Sequence, residues 1–116
     1  MVVVNKKNGR VRTCMDPSDL NKAILREHHP TGSIEDIATR LQGSTVFYTL
    51  DANSGYFQIK LSERSSLLTT FNSPLGRHRY LRMPTGAKCS AEVFQREMLM
   101  AFVNVDGVEI VVDDIL

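Results

Sequence analysis

The chain has 116 residues, of which 42% are hydrophobic and 23% are charged, and its net charge is +1. This composition excludes a wholly disordered protein, and the length allows one domain at most. No apolar run approaches the roughly 18 residues that span a membrane, and the apolar run at the N-terminus is too short for a secretory signal. We therefore expect a cytoplasmic or nuclear protein with no membrane partner, in which the two cysteines are reduced thiols.

Charge is unevenly distributed along the chain. Residues 1–30 and 60–101 are basic, whereas the last fifteen residues carry four acidic groups and no Lys or Arg. Two basic segments and an acidic segment would suit an anionic ligand held near a metal ion. Solvated surface charge explains the same distribution at least as often, so the charge pattern leaves both readings open.

A β-hairpin is predicted at the start of the chain. Residues 2–4 and 10–15 have strand character, and they flank Asn8-Gly9, a strong turn signal because both residues tolerate positive φ. Residues 18–25, which follow, predict a helical turn or a short helix.

The clearest helix is predicted over residues 33–42. Ser33 can cap its N-terminus, acidic residues occupy its first turn, and apolar residues recur at helical spacing. Gly43 follows at the position where a helix commonly ends.

The second half of the chain predicts a further hairpin and a second helix. Residues 67–71 and 78–83 have strand character and are separated by a segment rich in turn residues. The second helix runs from 90 to 103, and its apolar face consists of Phe94, Met98, Ala101 and Phe102. Helices and strands of this kind predict a single α+β domain.

Two predicted strands end in aspartate. The β-branched and aromatic residues 45–50 lead to Asp51, and the apolar residues 108–112 lead to Asp113 and Asp114. Since successive side chains of a strand point to opposite faces, the last two share a site only if the backbone turns there. A tight turn just after the second strand would place the pair beside Asp51.

Three converging carboxylates suit Mg²⁺, which prefers oxygen ligands. Two such ions about 3.5–4 Å apart can activate an attacking hydroxyl and neutralise a departing pyrophosphate, as nucleotidyl transfer requires. An isolated Asp-Asp pair is more often an exposed turn, and a generic cation-binding α+β domain is a further alternative.

Four segments, in this order, resemble the reverse transcriptase of gypsy-type LTR retrotransposons, and the resemblance covers residues 2–116. The segments are "VVVNKKNGRVRTCMDPSDLNKAI", "LDANSGYFQIKL", "TTFNSPLGRHRYLRMPTGAKCSAEVFQREM" and "VVDDIL". The last looks like the Tyr-x-Asp-Asp motif of the family, with Val111 in place of the usual tyrosine.

The resemblance implies a truncated reverse-transcriptase-like α+β fold, with an antiparallel palm sheet, helices packed on one face of it, and a fingers β-hairpin. Residues 1–43 would be mostly fingers and residues 44–116 mostly palm. The thumb, the connection and the RNase H domain would be absent, and so would the strand that should return after Asp114.

The resemblance also implies roles for individual residues. Asp51, Asp113 and Asp114 would be catalytic and would hold two Mg²⁺ ions, or Mn²⁺ in their place; Asp51 and Asp113 would be direct ligands, with the Ala52 carbonyl assisting. The residues that would bind the incoming nucleotide are Arg12, Lys6 or Lys7, Tyr56, Thr85 and Gly86. Tyr56 would stack under the sugar and exclude a 2′-hydroxyl, and Thr85 is smaller than the aromatic or Gln residue usual at its position.

The implied parent activity is that of an RNA-directed DNA polymerase, which acts on an RNA or DNA template with a primer and on deoxynucleoside triphosphates. We expect the 116-residue fragment itself to be inactive, because the parts that hold the primer are not in it. The alternative is a non-catalytic relic of a retroelement that binds nucleic acid or a protein partner. The sequence leaves the oligomeric state open.

Overall fold

The structure, a computed structural model, describes residues 2–5, 9, 11–14, 16–26 and 32–116. The chain divides into two compact units: unit 1 comprises residues 1–26 and 56–90, and unit 2 comprises residues 27–55 and 91–116. Helices and antiparallel strands occur together, so the fold is α+β, as predicted. Within the ranges just given, no helix has the length and apolar character needed to cross a membrane.

The elements follow one another in this order along the chain: β1 (Val2–Asn5), β2 (Val11–Cys14), α1 (Ser18–Ala23), α2 (Ile34–Arg40), β3 (Leu50–Asp51), α3 (Gly55–Gln58), α4 (Glu63–Leu68), β4 (Phe71–Ser73), β5 (Gly76–His78), α5 (Ser90–Ala101), β6 (Ile110–Val111) and β7 (Asp114–Ile115).

The N-terminal hairpin of unit 1 is confirmed. β1 and β2 pair antiparallel, with Val4 opposite Arg12, and Gly9 in the connection has a φ of 75°. A positive φ of this kind is what the Asn-Gly turn signal predicts. The short helix expected after the hairpin is α1.

The second hairpin of unit 1 is shorter than predicted, because a helix precedes it. Leu67 and Leu68, which were expected to begin a strand, lie in α4. The Ser62 side chain accepts a hydrogen bond from the Ser65 backbone N–H at 3.2 Å and so caps α4. This local capping signal outweighs the β-like character of the apolar residues, and only β4 and β5 pair in the hairpin.

Buried hydroxyl groups tie α4 to the segment after β5. The Ser66 hydroxyl donates to the Tyr80 carbonyl at 2.6 Å, and the Tyr80 backbone N–H donates to the Thr69 hydroxyl oxygen at 3.0 Å. Both hydroxyl residues are buried. Because the hydroxyls have backbone partners, their burial costs little. The interior of unit 1 also contains Met83 and Pro84.

Unit 2 contains a three-stranded antiparallel sheet with the order β3-β7-β6. The strand predicted over residues 45–50 is wrong except at its end, because only Leu50 and Asp51 are in β3 and residues 44–49 are exposed and outside any strand. Its only sheet neighbour, β7, is two residues long, so there is no partner strand among the described residues for the rest of the segment. The strand predicted over 108–112 is likewise reduced to β6.

The two long helices were predicted correctly. α2 begins with a capping box, in which the Ser33 hydroxyl oxygen accepts from the Asp36 backbone N–H while the Asp36 carboxylate accepts from the Ser33 backbone N–H. Gly43, with a φ of 89°, follows its last turn. In α5, Phe94 is buried, but Ala101, which was assigned to the same apolar face, is exposed.

Candidate active site

The three aspartates lie at one end of the unit 2 sheet, two of them in strands and one in a turn. Asp51 ends β3 and stands directly opposite Asp114, the first residue of β7. Asp113 lies in the turn between β6 and β7, and its carbonyl accepts a hydrogen bond from the Ala52 N–H at 2.9 Å. The predicted backbone turn at the aspartate pair is therefore present, and it begins at Val112, whose φ of 58° is rare for a β-branched residue.

The expectation that no strand returns after Asp114 is wrong. β7 is that return strand, and it lies between β3 and β6 rather than at the edge of the sheet. Beyond it, Glu109 and Leu116 exchange backbone hydrogen bonds, both 2.8 Å long, which close the hairpin. The turn at the aspartate pair is thus fixed by pairing on both sides.

The aspartate side chains are exposed and carry like charges. Cross-strand partners such as Asp51 and Asp114 share a face of the sheet, with Cβ atoms about 4.5–5.5 Å apart, and like charges in such pairs are destabilising. Among the residues that the structure describes, none of the three carboxylates has a salt bridge or a side-chain hydrogen bond. The pair therefore presents negative charge that a cation would neutralise.

The donors suit a hard divalent cation, although they do not converge on one point. Carboxylate oxygens are the ligands that Mg²⁺ prefers. The Ala52 carbonyl already accepts the Gly55 N–H at 3.1 Å, which leaves it one lone pair for a metal. Over the described part of the chain, no three Asp, Glu, His or Cys side chains come together as a metal site. The backbone places the aspartates side by side, but their carboxylates do not form a ready-made cage.

A buried glutamine on α5 holds the turn that carries the aspartates. Gln95 is only 3% exposed. Its side-chain amide donates to the Ile110 carbonyl at 2.9 Å, and its side-chain oxygen accepts a short hydrogen bond from the Val112 backbone N–H. One side chain thereby binds both the strand before the turn and the first residue of the turn. This role of Gln95 was not predicted from the sequence, where the available signal was a polar residue directly after a core phenylalanine.

Two further contacts fix the surroundings of the aspartates within unit 2. A Cβ atom on Gly55 would lie 2.6 Å from Cζ of Phe94, so the segment after Asp51 packs against α5 closely enough to require glycine. At the open end of the β6–β7 hairpin, where Glu109 pairs with Leu116, the Arg40 guanidinium is 2.7 Å from the Glu109 carboxylate. The frame around the exposed carboxylates is therefore packed, while the carboxylates themselves are not.

The residues predicted to bind the nucleotide belong to unit 1, and the aspartates belong to unit 2. Lys6 and Lys7 lie outside the described residues, and Arg12 is described only by its backbone in β2. Three remain: Tyr56 is half-buried in α3, Thr85 is half-buried, and Gly86 is exposed with a φ of 108°.

The sequence matches a known protein family over nearly its whole length. The profile of the family described as reverse transcriptase (RNA-dependent DNA polymerase) matches residues 4–116. An uncharacterized protein of Caenorhabditis elegans is 38% identical over 100% of this chain, which corresponds to 9% of that protein. The Pol polyprotein of the Drosophila melanogaster transposon 412 is 34% identical, covering 88% of this chain and 8% of the polyprotein. The enzymatic polyprotein of figwort mosaic virus is 31% identical, covering 96% of this chain and 17% of the polyprotein.

The fold matches solved reverse transcriptase structures. A crystal structure of the prototype foamy virus protease-reverse transcriptase superposes with a TM-score of 0.83 at 25% identity, covering 97% of this chain and 15% of that one. The foamy viral enzyme in complex with double-stranded DNA gives a TM-score of 0.78 at 22% identity, covering 97% and 20% of the two chains. The chain spans less than a fifth of the length of the nematode protein, the transposon 412 polyprotein and the figwort mosaic virus polyprotein. It belongs to the reverse transcriptase (RNA-dependent DNA polymerase) family.

Proposed function

We propose that this chain is the fingers–palm part of an RNA-directed DNA polymerase, which joins deoxynucleoside triphosphates to a primer 3′-hydroxyl. The observation that carries the proposal is the arrangement of the aspartates, with Asp51 opposite Asp114 and Asp113 in the turn beside them. These carboxylates have no side-chain partner within the described residues, whereas the backbone that carries them is hydrogen-bonded on both sides. A site of this kind suits a reaction that needs cations at a fixed position.

The aspartates would act as ligands rather than as acids or bases. In the proposed mechanism, Asp51 and Asp113 would hold two Mg²⁺ ions, with Asp114 beside them, and the remaining lone pair of the Ala52 carbonyl would assist. The ions, when bound, supply charge neutralisation at the phosphates and activation of the attacking hydroxyl. Mn²⁺ has the same preference for oxygen ligands and is the alternative ion.

The nucleotide would contact unit 1 residues. We assign Arg12 and either Lys6 or Lys7 to the triphosphate, Tyr56 to the sugar, and Thr85 with Gly86 to the wall of the pocket. Arginine suits phosphate because its planar group can donate two parallel hydrogen bonds. The exposed Gly86 has no side chain, so a ligand could approach its backbone closely.

The proposed partners are an RNA or DNA template and its primer. Related foamy viral enzymes have been solved with double-stranded DNA and with an RNA/DNA hybrid. The basic residues Arg77, Arg79, Arg82 and Lys88 are exposed in one stretch of unit 1, and such residues can follow a nucleic-acid backbone. We further assign residues 1–43 mostly to fingers and 44–116 mostly to palm, and the parent element to the gypsy type, in keeping with its similarity to a transposon polyprotein.

Primer extension tests the proposal. The 116-residue chain should be inactive by itself, because polymerisation requires the primer hydroxyl held within about 3–3.5 Å of the α-phosphate and this segment is a small part of its relatives. A longer chain that continues through a complete polymerase domain should extend a primer with Mg²⁺ and deoxynucleotides. Asp113→Asn should reduce that synthesis about a thousandfold, because several kcal/mol of charge stabilisation depend on the metal.

Two outcomes would count against the proposal. Synthesis by the longer chain that survives Asp113→Asn would remove the aspartates from the mechanism. A longer chain that binds primer–template but never extends it would favour the alternative of a non-catalytic relic. Asp106→Asn is the matched control, since Asp106 is an exposed acidic residue of the same unit that lies outside the sheet.

A further inference from the structure

The segment from Pro84 to Lys88 in unit 1 has no regular secondary structure, yet its ends are fixed. Pro84 is fully buried, and its carbonyl accepts a hydrogen bond from the buried Ser90 hydroxyl at 2.9 Å. Gly86 adopts a φ of 108°, a conformation that other residues rarely adopt. A loop with this backbone needs hydrogen-bond partners for the groups that it does not pair internally.

One side chain from α1 supplies partners to two groups of this loop. The Asn21 amide nitrogen donates to the Gly86 carbonyl at 3.0 Å, and the Asn21 amide oxygen accepts from the Lys88 backbone N–H at 2.8 Å. The three residues lie in the same unit, although 65 and 67 positions separate Asn21 from the two loop residues. Asn21 therefore fixes the loop at two points two residues apart.

The chemistry of this contact is specific to an amide. A carboxylate in its place could accept from the Lys88 N–H but could not donate to the Gly86 carbonyl, and an aliphatic residue could do neither. Other polar side chains of α1 bond within their own neighbourhood: Lys22 pairs with Asp19 at 2.8 Å, and Ser18 donates to Asp16 at 2.6 Å. Asn21 is thus the α1 side chain that hydrogen-bonds to the segment from Pro84 to Lys88.

We propose that Asn21 is a positioning residue for the incoming nucleotide: it holds the Gly86–Lys88 backbone in the shape that binds the deoxynucleoside triphosphate, without touching the nucleotide itself. This inference rests on the proposed function, in which Thr85 and Gly86 line the nucleotide pocket. Loss of Asn21 should weaken nucleotide binding and leave the chemical step, once the nucleotide is bound, largely unchanged.

The structural part of the test uses the 116-residue chain. In Asn21→Ala, the Lys88 amide should exchange with solvent about tenfold faster, which corresponds to the loss of one ordinary hydrogen bond. The Leu61 and Met83 amides, which bond to backbone carbonyls elsewhere in unit 1, should keep their rates. Asn21→Asp retains the acceptor, so the Lys88 amide should stay slow in that variant. Asn72→Ala, which changes an exposed asparagine of β4, is the matched control and should alter none of the three.

The functional part uses the longer, active polymerase. Asn21→Ala should raise KM for deoxynucleotides about tenfold, with kcat and primer–template affinity within about twofold of the parent, because the proposed role of Asn21 is to shape the loop and not to act on the reacting atoms. Asn21→Asp should give an intermediate KM, since one of the two hydrogen bonds remains. A merely structural role for Asn21 would lower the amount of folded enzyme but would not change KM selectively.

The outcomes separate this inference from the proposed function. If Asn21→Ala leaves both Lys88 exchange and KM unchanged while Gly86→Ala raises KM, the positioning role is wrong and the proposed pocket stands. If Lys88 exchange increases but neither Asn21→Ala nor Gly86→Ala changes KM, the loop lies outside the pocket and both assignments fail. If Asn21→Ala also releases Leu61 and Met83, its fold is disturbed, and Asn21→Asp decides: a parental KM in that variant would overturn the inference.

Discussion

Unit 2 has two acidic clusters, the α2 cluster (Glu35 and Asp36) and the sheet cluster (Asp51, Asp113 and Asp114), and Asp36 differs from the sheet aspartates in what its carboxylate contacts. At the start of α2, the Asp36 carboxylate accepts hydrogen bonds from the Ser33 hydroxyl at 2.8 Å and from the Ser33 backbone N–H at 3.2 Å. The Ser33 side chain, and then its backbone, lower the pKa of Asp36. The cluster formed by Asp51 and Asp113-Asp114 has no side-chain partner among the described residues.

This difference in hydrogen bonding suits the Asp36 carboxylate to a structural role and the sheet aspartates to cation binding. The α2 carboxylate is satisfied by the chain itself, and it stabilises a helix end. At the sheet, Gln95 and the strand pairing hydrogen-bond the backbone, whereas the carboxylates have no side-chain partner in the part of the chain that the structure describes. A fixed backbone with unpartnered like charges is suited to an external cation, whereas a partnered carboxylate is structural. Exposure alone does not separate the two clusters, because both are at the surface.

The largest change in the free energy of unfolding is expected from substitution of Gln95, which holds the turn of the sheet cluster. Gln95→Leu keeps the size of the side chain but leaves the buried Ile110 carbonyl and the Val112 N–H without this partner, so the free energy of unfolding should fall by about 2–4 kcal/mol. Chemical denaturation measures the change. Gln42→Leu, at an exposed position of the same unit, is the control and should shift stability by less than about 0.5 kcal/mol. Equal effects of the two substitutions would mean that Gln95 does not hold the turn.

A somewhat smaller effect is expected from Gly55→Ala. The added methyl group would lie 2.6 Å from Phe94 Cζ, so the segment after Asp51 must shift, at a cost of about 1–3 kcal/mol. Combining Gly55→Ala with Phe94→Leu should cost less than the sum of the two single changes, because the smaller side chain makes room. Strict additivity in this double-mutant cycle would contradict the close contact between the two residues.

The α2 cluster should respond to Ser33→Ala more weakly. Loss of a serine N-cap lowers the free energy of unfolding by about 1 kcal/mol. It should also return the pKa of Asp36 towards its ordinary value, because the Ser33 hydrogen bonds are the main cause of its lowering. Carboxyl chemical shifts followed through an acid titration measure that pKa; an unchanged value in the variant would contradict this cause.

The pH dependence of the α2 cluster follows from the same direction. A carboxyl whose pKa is lower in the folded than in the unfolded protein contributes stability at pH values above its ordinary pKa of about 3.9, and this contribution is lost as the pH falls through the lowered value. Acidification below about pH 4 should therefore lower the free energy of unfolding less in Ser33→Ala than in the parent protein.

The smallest predicted effects have opposite signs in the two clusters. In metal-free solution, Asp51→Asn should raise the free energy of unfolding by about 0.2–1 kcal/mol, because it removes a like-charge pair with Asp114. Asp36→Asn should lower it, since the helix end loses a charged hydrogen-bond acceptor. Thermal unfolding of both variants in the presence of a chelator measures the difference, and changes of the same sign would remove the distinction between the clusters.

Local signals made part of this fold predictable from the sequence. The Asn8-Gly9 turn signal and the Ser33 cap signal each act within a few residues, so the hairpin of β1 and β2 and the helix α2 were predicted correctly. The aspartates were predicted on their strand ends for a similar reason, since apolar runs lead directly into them. The turn that begins at Val112 could be inferred because the adjacent side chains of Asp113 and Asp114 cannot share a face in a straight strand.

What the sequence did not reveal depends on distant contacts. Leu67 and Leu68 have strand character, but the Ser62 cap and the bonds of Ser66 and Thr69 to Tyr80 favour the helix α4, in which both leucines lie. The partners of Gln95 are 15 and 17 positions away, and their identity requires the tertiary structure. The return strand β7 was missed because two residues are too few to show any periodicity.

Paramagnetic relaxation by Mn²⁺ is the most direct test of the distinction between the two clusters. With the 116-residue chain in solution, low concentrations of Mn²⁺ should broaden the amide signals of Asp51, Ala52, Asp113 and Asp114 first, and added Mg²⁺ should restore them by competition. The signals of Glu35 and Asp36 should stay sharp at the same concentrations, and Asp51→Asn should weaken the effect at the sheet. Equal broadening at both clusters, or broadening at Glu35 and Asp36 alone, would contradict a cation site built from Asp51, Asp113 and Asp114.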